Sequence, residues 1–118
     1  MKYIVFFAFK FLATVRATTV KFGFNDDYDC QYLKESHPYD KCGVNPISFN
    51  DIFDNVTSAL ITDNEMGVVF YDEKDCNVVN DKGEESLTYE VRGPVQGKKC
   101  YVLGKLIDFP LLCIKILC

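Results

Sequence analysis

The sequence predicts an all-β domain that is crosslinked by disulfides. Short segments alternate apolar and polar residues with a period of two, as Val20, Phe22 and Phe24 do, and this alternation is typical of half-buried strands. Turn-forming pairs rich in Gly, Pro, Asn and Asp separate these segments throughout the chain. Six cysteines in 118 residues add a third observation, because an even count in a short chain is typical of a disulfide framework.

One pattern, Phe-x-Asp-(Asp/Glu)-x-Asp-Cys, occurs at residues 24–30 and again at residues 70–76. A Lys-Cys pair follows each copy, at residues 41–42 and 99–100. Two copies are too few for a solenoid. No low-complexity linker divides the chain, so the repeat predicts one domain that is built from two similar halves.

The first 17 residues are interpreted as a secretory signal peptide. Lys2 supplies a basic start, residues 4–13 supply an apolar stretch, and Ala17 ends a cleavage-site pattern. The alternative, a membrane anchor, needs about 20 apolar residues, which this stretch lacks. A secreted single domain over residues 18–118 is therefore expected.

The strands are predicted in chain order from the same alternation. Leu87, Tyr89 and Val91 alternate with polar neighbours, whereas both faces of the last strand carry apolar residues, which fits a central strand or one held by its cysteines. Strands are predicted at Val20–Phe24, Ser58–Thr62, Gly67–Tyr71, Ser86–Arg92 and Leu112–Leu117, and one short helix at Phe49–Val56. Packed face to face, these strands would bury Phe22, Phe24, Leu60, Val68, Phe70, Ile114 and Ile116.

The cysteines are assigned to disulfides rather than to zinc. No Cys-x-x-Cys pair occurs and His37 is the only histidine, so the ligand spacing of a zinc site is missing. From the sequence alone, six cysteines leave 15 connectivities open. The six are Cys30, Cys42, Cys76, Cys100, Cys113 and Cys118.

Charge narrows the class of partner. The chain has 13 Lys and Arg against 17 Asp and Glu, and the signal peptide removes three of the bases, which leaves 10 − 17 = −7. An acidic domain is repelled by polyanions, so neither nucleic acid nor an anionic membrane is an expected partner. An extracellular or host protein fits better, and the domain is expected to be a monomer.

The order of motifs in each half resembles the βγ-crystallin superfamily, whose domain is a pair of Greek-key motifs. Each half has an aromatic-bearing strand, an acidic turn ending in Cys, and an excursion to a second Cys. A strand led by Asp-x-x-x-(Ser/Leu)-(Ala/Cys)-apolar follows, at residues 54–60 and 108–114. The chain is most similar to small secreted members of antimicrobial and killer-toxin-like type. The Gly that usually follows the acidic turn is replaced, since Cys30-Gln31 and Cys76-Asn77 stand there.

This resemblance implies a boundary and a disulfide pairing. The two Greek keys would cover residues of about 18–64 and 65–118, packed as a sandwich. In the small antimicrobial members the first cysteine of one half pairs with the second cysteine of the other. Carried over by position, that rule implies Cys30–Cys100 and Cys42–Cys118, and it leaves Cys76–Cys113.

The resemblance also implies one candidate calcium site. Residues 54–59 follow the pattern (Asn/Asp)-(Asn/Asp)-x-x-(Ser/Thr)-Ser except that Ala59 ends it, so Asp54 and Ser58 would be side-chain ligands. In the second half Asp108 is followed by residues without matching oxygens. The alternative is a turn capped by Asp54 and Asn55, and no other cofactor is expected.

The other candidate sites have simple structural interpretations. Asn55 begins the one N-glycosylation sequon, Asn55-Val56-Thr57. The carboxylates of the two acidic turns are interpreted as solvated, and His37 as a surface residue, so no enzymatic constellation is expected. Tyr28, Tyr32 and Tyr39 are either a recognition patch or cross-strand packing.

These observations predict a secreted, non-enzymatic interaction protein, of effector, toxin-like or antimicrobial type, that acts through its surface. The alternative is a calcium-stabilised structural module of βγ-crystallin type.

Overall fold

A computed structural model describes residues 18–34, 39–48 and 55–118. The predicted signal peptide lies outside these residues, as do residues 49–54 of the predicted helix, and Val56 is the first residue of a strand. The elements are β1 Thr19–Phe24, β2 Gly43–Pro46, β3 Val56–Asn64, β4 Gly67–Tyr71, β5 Thr88–Arg92, β6 Val95–Val102, α1 Leu103–Leu106 and β7 Cys113–Leu117. No helix within these ranges is long and apolar enough to cross a membrane.

The strands form two antiparallel sheets, which confirms the all-β prediction. The first sheet has the order β1-β3-β6 and the second has the order β2-β7-β4-β5. One strand of each half lies in the sheet of the other half. The early strand β2 pairs with β7, and the late strand β6 pairs with β3.

The core lies between the sheets, and the period of two decides which side chains reach it. Val20 and Phe22 of β1 stand opposite Ile61 and Ala59 of β3, and all four are buried. Leu60 was expected in the core and is only half buried, because it stands opposite Lys21 on the other face of the sheet. Successive side chains of a strand point to opposite faces, so Leu60 cannot face the core together with Ala59 and Ile61.

The second sheet supplies the opposite wall of the core. Phe70 is fully buried opposite Ile114, and Val68 is fully buried opposite Ile116. Each such side chain contributes about 1.5–3 kcal/mol by leaving water. Phe24 is only partly buried and packs against this cluster. β7 lies between β2 and β4, and disulfides hold Cys113 at its start and Cys118 just after its end, so both alternatives for the last strand are found.

The predicted strands all exist, but β2 and β6 were missed. β6 has exposed residues from Gln96 to Lys99 and therefore lacks an alternating apolar row. β2 has four residues, of which only Asn45 is buried. Both strands lie at sheet edges, where a strand is defined by its pairing rather than by a buried face.

Three disulfides connect the elements. The structure joins Cys30 to Cys100, Cys42 to Cys118 and Cys76 to Cys113, and these are the pairs that the resemblance implies. The first bridge links the turn after β1 to β6, and the second links the chain before β2 to the end of β7. Each of these two bridges therefore fastens an exchanged strand to the sheet that received it.

Candidate functional site

The repeated motif forms a tight turn after β1 and another after β4. Each turn places its cysteine in the left-handed region, with φ of 62° at Cys30 and 57° at Cys76. This conformation favours glycine and is uncommon for other residues. The two cysteines thus hold the conformation that a glycine would adopt more readily, and each is fixed there by a disulfide.

Asp27 organises the first turn from inside. The residue is 6 % exposed, and its carboxylate accepts two backbone hydrogen bonds of 2.8 Å, from the N–H of Gln31 to Oδ1 and from the N–H of Tyr32 to Oδ2. Its carbonyl oxygen accepts the hydroxyls of Ser58, at 2.7 Å, and Thr57, at 2.8 Å. These bonds fasten the turn to the outer face of the first sheet.

Glu73 has the same role in the second turn. It is 7 % exposed, and its Oε2 accepts the N–H of Asp75 at 2.9 Å and the N–H of Asn77 at 2.7 Å. Asn77 lies four residues beyond Glu73, as Gln31 lies four beyond Asp27. The interpretation of the turn acids as solvated is therefore wrong for Asp27 and Glu73, although it holds for exposed neighbours such as Asp26.

The pKa of the Asp27 carboxyl reflects two opposed effects. Burial alone raises this pKa, because it penalises the charged form. The N–H groups of Tyr32 and Gln31, together with hydrogen bonds to Asp29, stabilise the carboxylate more strongly. The pKa of Asp27 therefore lies below its ordinary value, and the turn is built around an ionised carboxylate.

Gly23 makes room for this arrangement. A Cβ at residue 23 would collide with Ser58 Oγ and with Asp27 Oδ2, because both atoms lie directly above the glycine. We expect Gly23→Ala to lower the free energy of unfolding by about 1–3 kcal/mol, because the turn would have to lift from the sheet. Urea unfolding measures this loss, and Gly104→Ala is the control, since a Cβ there meets nothing within 4 Å.

The strand pairing shows how the last strands of the two halves correspond. The repeat equates Phe22 with Val68. Ala59 stands opposite Phe22 and Ile116 stands opposite Val68, so Ala59 corresponds to Ile116, an offset of 116 − 59 = 57 residues. The motif comparison that equates Asp54 with Asp108 uses an offset of 54 and is three residues out of register.

The two turns cover the outer faces of their sheets with different chemistry. The first turn makes polar contacts with Ser58, whereas the second turn packs in an apolar cluster of Val69, Tyr71, Cys76 and Cys113.

The calcium hypothesis gains no ligand set from the described residues. Asp54 lies outside them, and Ser58 is fully buried with its hydroxyl donated to the Asp27 carbonyl. No group of three or more His, Cys, Asp or Glu side chains there is placed to hold a metal. We expect the melting temperature to be the same in calcium and in chelator, and a rise with calcium would favour the alternative.

Asn55, the residue of the sequon, is exposed, and its carbonyl oxygen accepts the N–H of Asn25 at 2.7 Å. Its glycosylation stays a prediction, and His37 lies outside the described residues. The sequon threonine, Thr57, is buried, and its hydroxyl donates a hydrogen bond to the carbonyl oxygen of Asp27.

The three tyrosines of the first loop separate into two groups. Tyr39 packs its ring against Phe22, with centroids 5.4 Å apart, and its hydroxyl accepts the N–H of Ser48. Tyr28 and Tyr32 are 51 % and 81 % exposed, although both belong to the tightly bonded Asp27 turn. The packing interpretation therefore applies to Tyr39, and the other two remain available for recognition.

The second loop presents an exposed apolar group that the sequence reasoning missed. Val78, Val79 and Leu87 are 66 %, 50 % and 54 % exposed. Two adjacent valines beside the turn signal at residues 80–83 were the available clue, since they predict a hairpin too short to cover its own apolar residues.

Comparisons with protein-family models, with curated proteins and with solved structures give no match for this chain.

Proposed function

We propose that the chain is a double Greek-key domain of the βγ-crystallin type. In a Greek key the fourth strand returns to lie beside the first, in the order 4-1-2-3. The second half supports this arrangement, because β7 lies beside β4 and β5 lies on the other side of β4. Its third strand, β6, crosses to the opposite sheet.

The first half supports the same description. β3 lies beside β1, and Tyr39 bridges the other edge of β1 through paired hydrogen bonds with Val20 of 2.8 and 2.9 Å. The third strand of this half, β2, crosses in turn to the second sheet. The reciprocal exchange of third strands and the repeated turn both favour a duplicated Greek key.

We propose further that this domain is a secreted, non-enzymatic recognition protein of effector, toxin-like or antimicrobial type. One observation carries the proposal: large apolar side chains are exposed on turns that hydrogen bonds and disulfides hold rigid. Tyr32 is 81 % exposed, yet its N–H is bound to the buried Asp27 carboxylate. Rigid, exposed aromatic residues suit recognition because little conformational entropy is lost on binding. Three disulfides fit an oxidising, extracellular environment.

A capture experiment tests this function. The folded chain and the reduced, alkylated chain would each be immobilised and exposed to extracellular fluid from candidate hosts. We expect proteins retained by the folded chain alone, with retention reduced by Tyr32→Ser. Growth-inhibition assays on microbes with the same two preparations distinguish a toxin from an effector. Equal capture by both preparations, together with no inhibition, would contradict the proposal.

A further inference from the structure

Residues 77–87 form a small hairpin, called here the 77–87 hairpin, beyond the ends of β4 and β5. Val79 bridges Glu85, the N–H of Asn80 is bound to Glu84, and the N–H of Ser86 is bound to Val78. Asn80 Oδ1 accepts the N–H groups of Lys82 and Glu84 across the turn. The tip is therefore fixed by its own hydrogen bonds.

The base of the hairpin is held equally firmly. Glu73 accepts the N–H of Asn77, Asp72 Oδ1 accepts the N–H of Leu87, and Cys76 is bonded to Cys113 of β7. The hairpin thus projects from the second sheet with its backbone ordered. A partner that binds it would not have to order a flexible loop, which is a large cost in many interfaces.

The apolar side chains of the hairpin lie where the core cannot cover them. Leu87 continues the row of Val91 and Tyr89, which pack into the core, but it stands one step past the end of the sandwich. Strand alternation places Val79 on the same face as Leu87, and Val78 faces the other way. The fold leaves these side chains exposed, so they do not contribute to the core, and neighbouring exposed apolar side chains with a polar rim are typical of interaction sites.

The charge around this patch is strongly negative. Residues 72–90 contain seven acids and two lysines, a balance of 2 − 7 = −5, which is most of the −7 expected for residues 18–118. Among the described residues, Glu84 and Glu85 have no cationic partner within ion-pair distance. Within the part of the chain that the structure describes, the one ion pair of an acid in this segment is the 3.9 Å contact between Glu90 and the exposed Arg92.

We propose that the 77–87 hairpin docks a basic protein surface that carries an apolar anchor. Val79 and Leu87 would form the desolvated centre of the contact, and Glu85, which pairs with Val79 on the same face, would contact the partner's Lys or Arg side chains at its rim. Such an arrangement matches the usual division of an interface into an apolar centre and a charged rim that raises the association rate. The inference rests on the recognition function proposed above and adds a second surface to the one that presents Tyr32.

A display library of short random peptides is the probe for this surface. Selection on the full, disulfide-bonded chain is expected to enrich peptides that combine Lys or Arg with a large apolar residue. Affinity for the enriched peptides is expected to fall at least tenfold with Val79→Ser/Leu87→Ser. It is expected to fall as much with Glu85→Lys, and added salt is expected to weaken the wild-type complex.

Two controls make the same kinds of change elsewhere, one at an exposed valine and one at an exposed acid. Val44→Ser removes another exposed valine, which is 40 % exposed on β2, and Glu65→Lys reverses an exposed acid outside the hairpin. Both are expected to leave the affinity unchanged. A melting temperature for each variant equal to that of the wild type excludes unfolding as the cause of a loss.

The outcomes separate this inference from the proposed function. Enriched peptides whose binding ignores all hairpin substitutions would overturn the hairpin assignment and leave recognition through another surface standing. Acidic peptides whose binding fails with Lys98→Glu/Lys99→Glu would move the site to β6. Enrichment no greater than on the reduced, alkylated chain would overturn the hairpin assignment and count against recognition as well.

Discussion

Replacing Asp27 by alanine is expected to lower the free energy of unfolding by about 2–4 kcal/mol. The change removes the charged acceptor of the N–H groups of Gln31 and Tyr32, and a hydrogen bond to a charged group contributes about 1.5–3 kcal/mol. It also empties the space over Gly23 that the carboxylate fills. Urea unfolding followed by tyrosine fluorescence measures the loss.

The acid dependence of stability provides a second measurement on the same residue. The pKa of Asp27 is lowered in the folded state, so its stabilising contribution is complete above its unfolded pKa of about 3.9. That contribution is lost as the pH falls through the lower folded pKa. The difference in unfolding free energy between wild type and Asp27→Asn should therefore be constant from pH 7 to about 5 and shrink below about pH 4.

Asp26 is the control, because it lies in the same turn with its side chain exposed. Asp26→Ala changes the net charge by the same amount and should cost less than about 0.5 kcal/mol. Equal losses for Asp26→Ala and Asp27→Ala would show that the turn depends on its charge rather than on the buried carboxylate. Glu73→Ala tests the second turn, where one oxygen accepts both N–H groups.

The repeat in the sequence predicts the duplicated turn but not the division of labour among its acids. Asp26, Asp27 and Asp29 are the same residue type within one short turn, so the sequence does not single out Asp27. Only the left-handed conformation of Cys30 turns the following N–H groups back toward residue 27. Since left-handed geometry is expected of glycine rather than cysteine, the sequence gives no sign of it.

The sequence also does not predict that β2 and β6 are exchanged between the halves. Alternation reports which strands line the core, and it found β1, β3, β4, β5 and β7 for that reason. It carries no information on which strand pairs with which. β6 pairs with β3 and is joined to the turn after β1 by the Cys30–Cys100 bridge, and only the cysteine pairing that the resemblance implies pointed to this arrangement.

The 77–87 hairpin has a turn that the sequence predicts and exposed side chains that it does not. Its turn signal at residues 80–83 was evident, and the acids around it were counted in the net charge. Val79 and Leu87 are exposed because they lie beyond the end of the sandwich. That end is set by the last residue pair of β4 and β5, Tyr71 and Thr88. A strand pattern alone therefore does not show that these side chains are exposed, although the adjacent valines at residues 78 and 79 were a clue to it.

Removal of the Cys76–Cys113 bridge should destabilise the domain more than removal of the Cys42–Cys118 bridge. Loop length alone favours the reverse order, because the bridges span 37 and 76 residues, and the longer loop is worth about 0.6 kcal/mol more. Burial outweighs that difference. Cys113 is fully buried and Cys76 is 7 % exposed, whereas Cys42 and Cys118 are both exposed.

We expect a loss of about 3–5 kcal/mol for Cys76→Ala/Cys113→Ala and of about 2–4 kcal/mol for Cys42→Ala/Cys118→Ala. The first pair leaves a void beside Tyr71 and Val69, and a void of this size adds about 1 kcal/mol. Urea unfolding of both variants measures the order, and alkylation during mild reduction of the native wild type should label Cys42 and Cys118 first. A larger loss for the exposed pair would mean that loop closure, rather than packing around Cys113, sets the value of these bridges. Since only the exposed pair fastens the exchanged strand β2, that result would also place the weakest point of the fold at the exchange.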